Sequence, residues 1–390
     1  MSTPLSLAPK LLRLAVRQPV YARALLRRKI RLARRYRWIR THPHRDGAVP
    51  PPLVYKLVLT YACNLRCQGC FQWGAAGWCR HEPREAMARE LDWTLVERLL
   101  AAAGPGRPDV ILTGGEPLLY SRFEELAALL QHHRCQTTVC TNGTLLDRHG
   151  ALARTNPYLA FLVSLDGPEE RNDALRGPGG YRAVVEHIRQ LKRRRRPAWI
   201  GIQCTLRPEN VGSLHVFCRD MVALGVDWIL LNPFWYFTAE EARAYERLLK
   251  ERFGVTPRTH RGFVQPYALD ATAFRAELQR IRAERWPIQI SGYFRHAEDL
   301  IAYQSDPASL VRERRCFKQW IRIDITPEGE VAPCIQFPDL VAGSLHEQPA
   351  LTIWNGSVYE ALRRTLRTEN LPVCARCNNL YLYDAGRRYL

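Results

Sequence analysis

Three cysteines crowd into one short stretch, Tyr61-Ala62-Cys63-Asn64-Leu65-Arg66-Cys67-Gln68-Gly69-Cys70. Three thiolates from a single loop can ligate three irons of a four-iron cluster and leave the fourth iron open to another ligand. The same sulfurs also allow a plainer chemistry, with Cys63 and Cys67 as zinc ligands or redox thiols and Cys70 merely buried. Further along, Leu112-Thr113-Gly114-Gly115-Glu116-Pro117 places adjacent glycines, which let backbone approach a ligand closely, beside a carboxylate able to accept hydrogen bonds from an ammonium group. A second thiol set, Cys316, Cys334, Cys374 and Cys377, has the spacing Cys-x17-Cys followed much later by Cys-x2-Cys. Brought together by folding, it suits zinc or a four-iron cluster.

These residues need elements to position them. Strands are expected at Tyr55–Leu59, Asp109–Leu112, Gln136–Cys140, Leu159–Leu165, Ile200–Leu206 and Trp228–Leu231, and helices at Phe123–Leu130, Tyr181–Lys192 and Leu214–Leu224. Such alternation predicts a parallel α/β domain with its chemistry at the carboxyl ends of the strands. The cysteine loop follows the first strand and the Gly-Gly-Glu-Pro turn the second. Thr141-Asn142-Gly143 and Ser164-Leu165-Asp166-Gly167 end the next two, and Thr205, Arg207 and Asn210 leave the fifth. An Asn-Gly turn is structurally sufficient in itself, and Thr205, Arg207 and Asn210 serve equally as strand-end caps. Helices are expected at Glu240–Phe253 and Ala271–Ala283, then from Cys316 short strands and turns, Ile321–Ile325 and Val331–Cys334 among them. The expected organisation is an arm over 1–50, a core over 51–238, a helical cavity or linker region over 239–315, and a small α+β module over 316–390.

The chain of 390 residues carries a formal charge of +19, and thirteen Lys or Arg against one acidic residue lie within 1–50. Basicity is therefore mainly a property of the arm rather than of a nucleic-acid groove. Leu5 to Ile39 has helical periodicity, broken near Pro19, with Leu7, Leu11, Leu14 and Ala15, then Leu25, Leu26, Ile30 and Ala33, on apolar faces. This arm suits an anionic membrane surface, with Leu, Tyr36 and Trp38 inserted, or packing on the catalytic body, or another anionic partner. No uninterrupted apolar run of about 18 residues supports a transmembrane helix. Twelve cysteines with no convincing secretion signal point to a reducing cytoplasm, with the arm at the inner face of the membrane.

The cysteine triad after the first strand and Gly114-Gly115-Glu116-Pro117 after the second resemble the radical S-adenosylmethionine superfamily. The C-terminal cysteines resemble the shortened SPASM, or twitch, module of its auxiliary-cluster members. The resemblance covers roughly residues 54–235 and 316–380. It implies a partial (β/α)6 TIM-like barrel with a C-terminal α+β iron–sulfur module and a basic N-terminal helical arm. It also implies two [4Fe-4S] clusters and S-adenosyl-L-methionine as cofactors. Cys63, Cys67 and Cys70 would hold the cleavage cluster, and Cys316, Cys334, Cys374 and Cys377 the auxiliary one. Gly114, Gly115, Glu116, Pro117, Asn142, Ser164, Asp166 and Thr205 would surround the cofactor, with Glu116 in the element that binds the methionine amino group. Gly69 departs from the family, which often has an aromatic residue there covering the adenine; either Phe71 or Trp73 would compensate, or the backbone would suffice. Cys135, Cys140, Cys204 and Cys218 are expected in the core, and Cys79 is a candidate donor or substrate contact.

The implied activity is reductive cleavage of the cofactor to a 5′-deoxyadenosyl radical, with an external low-potential donor such as ferredoxin or flavodoxin. The basic arm favours oxidative or carbon-skeleton modification of a lipid-linked or anionic small molecule. The alternatives are a ribosomal peptide maturase forming a crosslink or oxidised residue, and a nonenzymatic iron–sulfur or nucleic-acid-binding protein.

Overall fold

The computed structural model describes residues 15–16, 18–42, 49–193, 198–293, 296–311 and 314–382. Ten strands form one sheet: β1 (Val54–Val58), β2 (Asp109–Thr113), β3 (Thr137–Thr141), β4 (Leu159–Ser164), β5 (Trp199–Leu206), β6 (Trp228–Pro233), β7 (Gln289–Gly292), β8 (Arg322–Ile325), β9 (Glu330–Val331) and β10 (Gly343–Ser344). Their order is β10-β9-β8-β1-β2-β3-β4-β5-β6-β7. All pairs from β8 through β1 to β7 are parallel; β8–β9 and β9–β10 are antiparallel. Helices cover the outer face, where Leu57, Leu112, Val139, Val163 and Ile202 are buried, while Lys56, Ile111, Cys140 and Leu162 on the other face line the interior. The result is a partial barrel with a small C-terminal α+β module on its β1 side.

Two features differ from the sequence expectation. The stretch after β6 supplies a seventh parallel strand, Gln289–Gly292, besides its helices. The C-terminal module is also continuous with the core sheet: β8 pairs with β1 in register Lys56↔Asp324. Helix ends obey local rules. Thr238 and Glu241 form a reciprocal capping box at the start of Ala239–Phe253, and Asp270 accepts from Thr272 and Ala273 at the start of Ala271–Ala283.

The N-terminal helix, Pro19–Thr41, lies across the amino ends of the strands. Arg31 donates to Asp109 at the start of β2 (2.9 Å) and to the Arg107 carbonyl (2.7 Å), and Tyr21 meets Trp199 at the start of β5 (ring centroids 5.4 Å). Arg35 donates to the carbonyls of Pro51 and Trp320. Tyr36 is buried edge-on to Phe317, and Trp38 stacks on His42, so the aromatic pair expected in a bilayer is engaged within the chain. Leu7, Leu11 and Leu14 lie outside the described residues.

Candidate functional site

The loop after β1 is pinned on three sides. Gly115 and Glu116 N–H groups donate to the Thr60 and Ala62 carbonyls (2.9 and 2.8 Å), which ties the Gly-Gly turn to the cysteine loop. A Cβ on Gly115 would lie 2.3 Å from the Tyr61 and Ala62 carbonyl oxygens, so only glycine permits that approach. Gln68 N–H donates to Leu175 O (2.8 Å), and Asn142 donates to Asn64 (2.8 Å), joining the loop to the helix after β4 and the turn after β3.

Cys63, Cys67 and Cys70 all face one cavity of about 1240 Å³, which runs along the strand interior from the N-terminal helix to the carboxyl ends. Gly114, Gly115, Asn142, Ser164, Asp166 and Thr205 share its wall. Leu65 N–H points at Cys63 Sγ and Trp73 N–H at Cys70 Sγ, each at 3.4 Å, and Arg176 approaches Cys67 Sγ at 4.0 Å. Donors aimed at sulfur favour thiolate over thiol. Burial pushes the Cys63 thiol up to about 12, and it raises Cys67 against the opposing Arg176 charge. A metal that replaces the proton removes that penalty, so the donor set fits a cluster held by these three sulfurs.

Glu116, expected in the element that binds the methionine amino group, lies behind the cavity wall. Its carboxylate is fully buried and accepts from Leu118 N–H (3.0 Å), Thr141 Oγ1 (2.7 Å) and Asn142 N–H (2.7 Å). All three donors belong to the protein, and neither Glu116 nor Pro117 lines the cavity. Burial, partly offset by those bonds, raises its pKa to about 6. Glu116 thus joins the β2 and β3 turns, behind the Gly114 and Gly115 backbone that lines the cavity. Asp166 is likewise engaged: it accepts from Arg176 (2.8 and 2.7 Å) and from Thr205 N–H (2.7 Å). Asn210 donates to the Asp166 and Thr205 carbonyls (3.0 and 2.7 Å), locking the exits of β4 and β5 together. Ser164, half-buried at the end of β4, keeps its hydroxyl toward the cavity without a hydrogen-bond partner among the described residues.

Gly69 has φ +75°, and the atom nearest an added Cβ is Arg207 Nη1, at 2.2 Å. The guanidinium therefore takes the space an aromatic side chain would fill. It lies 4.3 Å over the Phe234 ring and 3.5 Å from Glu209. Phe71 stacks on Phe263 at 4.5 Å and lines the cavity, while Trp73 donates to Tyr61 O (2.8 Å) beneath the Arg66 guanidinium. Cys79 is buried away from the cavity. Cys140, expected in the core, lines the cavity instead. Cys135, Cys204 and Cys218 are buried.

At the other side of the sheet, burial raises the Cys374 thiol, and Cys316, Cys377 and Cys334 beside it raise it further. Cys316 and Cys374 are buried; Cys334 receives Gln319 Nε2 at 3.7 Å and Cys377 receives Asn379 Nδ2 at 3.4 Å. Arg376, inside the Cys-x2-Cys turn, pairs with Glu241 (3.0 Å) and lies 4.1 Å over Tyr236, while Tyr303 donates to its carbonyl (2.9 Å). The turn is thereby fixed to the Ala239–Phe253 helix. Among the described residues no three His, Cys, Asp or Glu are gathered tightly enough for one metal ion.

Residues 57–220 match the radical SAM superfamily, and residues 316–378 match the SPASM iron–sulfur cluster-binding domain. The chain is 30% identical over 166 residues to Fe-coproporphyrin III synthase of Methanosarcina barkeri, covering 42% of this chain and only 39% of that protein. It is 27% identical over 360 residues to pre-heme d1 synthase of Dinoroseobacter shibae, covering 86% of this chain and 81% of that protein. Streptococcus suis SuiB bound to its precursor peptide SuiA shares the fold with a TM-score of 0.60 at 17% identity, over 90% of this chain and 74% of that one. A radical SAM core joined to a SPASM module is the architecture of an iron–sulfur radical enzyme.

Proposed function

We propose that this radical SAM–SPASM enzyme oxidises a peptide side chain, or joins it to another residue, within the cavity that Cys63, Cys67 and Cys70 line. The observation that carries the reading is the convergence of Cys63, Cys67, Cys70, Gly114, Gly115 and Ser164 on one open cavity. Its volume of about 1240 Å³ exceeds the ~300–1,000 Å³ of an ordinary small-molecule site, leaving room for a substrate beside a nucleotide. SuiB, solved with a precursor peptide, supports the peptide class over the lipid-linked one. A tetrapyrrole is the second reading, favoured by the match to pre-heme d1 synthase along 86% of this chain.

When bound, the first cluster with S-adenosylmethionine supplies a carbon radical for hydrogen abstraction, and the second cluster supplies an acceptor for the remaining electron. The chain's own residues position and shield. Cys63, Cys67 and Cys70 would hold the first cluster; Gly114, Gly115, Ser164 and Thr205 would line the cofactor site; Arg207 would cover its nucleotide end. Cys316, Cys334, Cys374 and Cys377 would hold the second cluster with no position left open, which suits electron transfer or structural support. Aromatic rings of Phe71, Phe234, Trp235 and Phe263 exclude water from the reacting side.

The arm bears on localisation. No helix among the described residues is long and apolar enough to cross a membrane. The N-terminal helix uses Tyr21, Ala24, Tyr36 and Ile39 inward, yet leaves Leu26 and Ile30 exposed among arginines, and these would make a peripheral contact with anionic lipid.

The test is a deuterium-transfer search. Reconstituted protein, dithionite and S-adenosylmethionine are incubated without oxygen with deuterated peptides encoded beside its gene, or with coproporphyrin III. Deuterium in 5′-deoxyadenosine together with a peptide lighter by two hydrogens supports the first reading. Transfer from the tetrapyrrole alone replaces it with the second.

A further inference from the structure

One charged side chain in the barrel is left over by the cluster sites. Lys56 stands in the middle of β1, whose other four residues are buried, and β1 is flanked on both sides by paired strands. Its exposed part therefore opens only into the cavity, which it lines. Among the described residues its ammonium has no hydrogen-bond or ion-pair partner. The residue opposite it on β8 is Asp324, the natural counter-ion by register. That carboxylate is already engaged: Arg322 grips both of its oxygens (2.6 and 3.0 Å) and Lys318 holds one (2.8 Å). Arg322 and Lys318 outweigh the effect of burial and keep the Asp324 carboxyl below its usual range. Arg322 also donates to Asn379 (3.1 Å), and both Arg322 and Asn379 line the same cavity as Lys56.

Three cations thus surround one carboxylate at the cavity wall. An ammonium taken out of water without a counter-charge is strongly unfavourable, because no solvent replaces its hydration. Burial first, and Arg322 second, bring the Lys56 pKa down to about 8, in keeping with an unbalanced cation. A monoanion entering along the cavity would supply the counter-charge that Lys56 lacks. We propose that Lys56, with Arg322 and Asn379 beside it, receives a carboxylate of the substrate deep in the barrel and so fixes which C–H bond faces the radical site. Peptides and tetrapyrroles can both carry carboxylates, so the site deepens the proposed function without choosing between its two substrate classes. It rests on that function only in taking the cavity for the substrate's.

The experiment keeps the two apart by using an anion probe rather than turnover. Crystals of the reconstituted protein are soaked in sodium bromide, with and without excess sodium propionate or sodium phosphate, and bromide is located by anomalous scattering. The expected result is a bromide at Lys56 Nζ that propionate displaces. Lys56→Met should lose it and Lys56→Arg should restore it, with the visible cluster absorbance of both variants like that of the wild type. Should Lys56→Met not take up clusters, Lys56→Gln carries the same prediction. Bromide bound elsewhere on the protein but not at Lys56, bromide there persisting in Lys56→Met, or displacement by phosphate but not by propionate would each overturn the assignment. Reductant-dependent cofactor cleavage without substrate is followed separately in the wild type. Its loss from the wild type would overturn the radical reading while leaving the bromide result to stand or fall separately.

Discussion

The two cysteine sets solve opposite problems. Cys63, Cys67 and Cys70 sit on one loop, half-buried, with their sulfurs toward a cavity that also admits Gly114, Gly115 and Ser164. Cys316, Cys334, Cys374 and Cys377 come from three separated segments, with Cys316 and Cys374 buried and Cys334 and Cys377 half-buried. The first set opens on the cavity; none of the second set lines it. A loop that must admit a cofactor is held by hydrogen bonds at its edges, whereas an enclosed site is held by packing and by ion pairs such as Arg376–Glu241.

The comparison breaks most visibly if the sites exchange roles. Replacing Cys63, Cys67 and Cys70 by Ala should reduce 5′-deoxyadenosine formation to background, more than ~1,000-fold, while roughly half of the iron is retained. High-performance liquid chromatography and iron analysis measure the two. Cys374→Ser with Cys377→Ser should do the reverse to stability. Losing a ligand set that binds only the native state should lower the thermal midpoint by more than ~5 °C, read by calorimetry under argon. Binding of S-adenosylmethionine should survive in that variant.

Smaller changes sharpen the contrast. Arg207→Ala should weaken S-adenosylmethionine binding about 10-fold, or ~1.4 kcal/mol, with both clusters intact, as measured by equilibrium dialysis. Gly69→Ala should weaken it at least as much, because a Cβ there meets Arg207 Nη1 at 2.2 Å in a left-handed backbone. Smallest of all, Leu26→Glu with Ile30→Glu should reduce sedimentation with anionic vesicles by about 3-fold while shifting the thermal midpoint by less than ~2 °C, since both side chains are exposed.

How much of this was legible in the sequence follows from distance along the chain. The Cys63 loop and the Gly114-Gly115 turn are local, and the strands that carry them appear as apolar runs within one or two residues of their observed ends. The role of Glu116 was not legible: a buried carboxylate shared by Leu118, Thr141 and Asn142 looks the same in sequence as one facing a ligand. Arg207 filling the space above Gly69 joins residues far apart, and only the fold brings them together. The pairing of β8 with β1 is equally non-local. Lys56 did leave a signal, a lone charge within Val54-Tyr55-Lys56-Leu57-Val58, where an apolar strand gives no reason for lysine. The N-terminal helix had a readable amphipathic pattern, but periodicity cannot say whether an apolar face meets lipid or protein; Tyr36 against Phe317 shows one such contact inside the chain.

Paramagnetic resonance of the reduced, reconstituted protein tests the contrast between an open and a closed cluster most directly. The account predicts two iron–sulfur signals, of which S-adenosylmethionine perturbs one; that signal disappears when Cys63, Cys67 and Cys70 are replaced, and the other remains unaltered by the cofactor. A cofactor-sensitive signal that survives the triple replacement would contradict it.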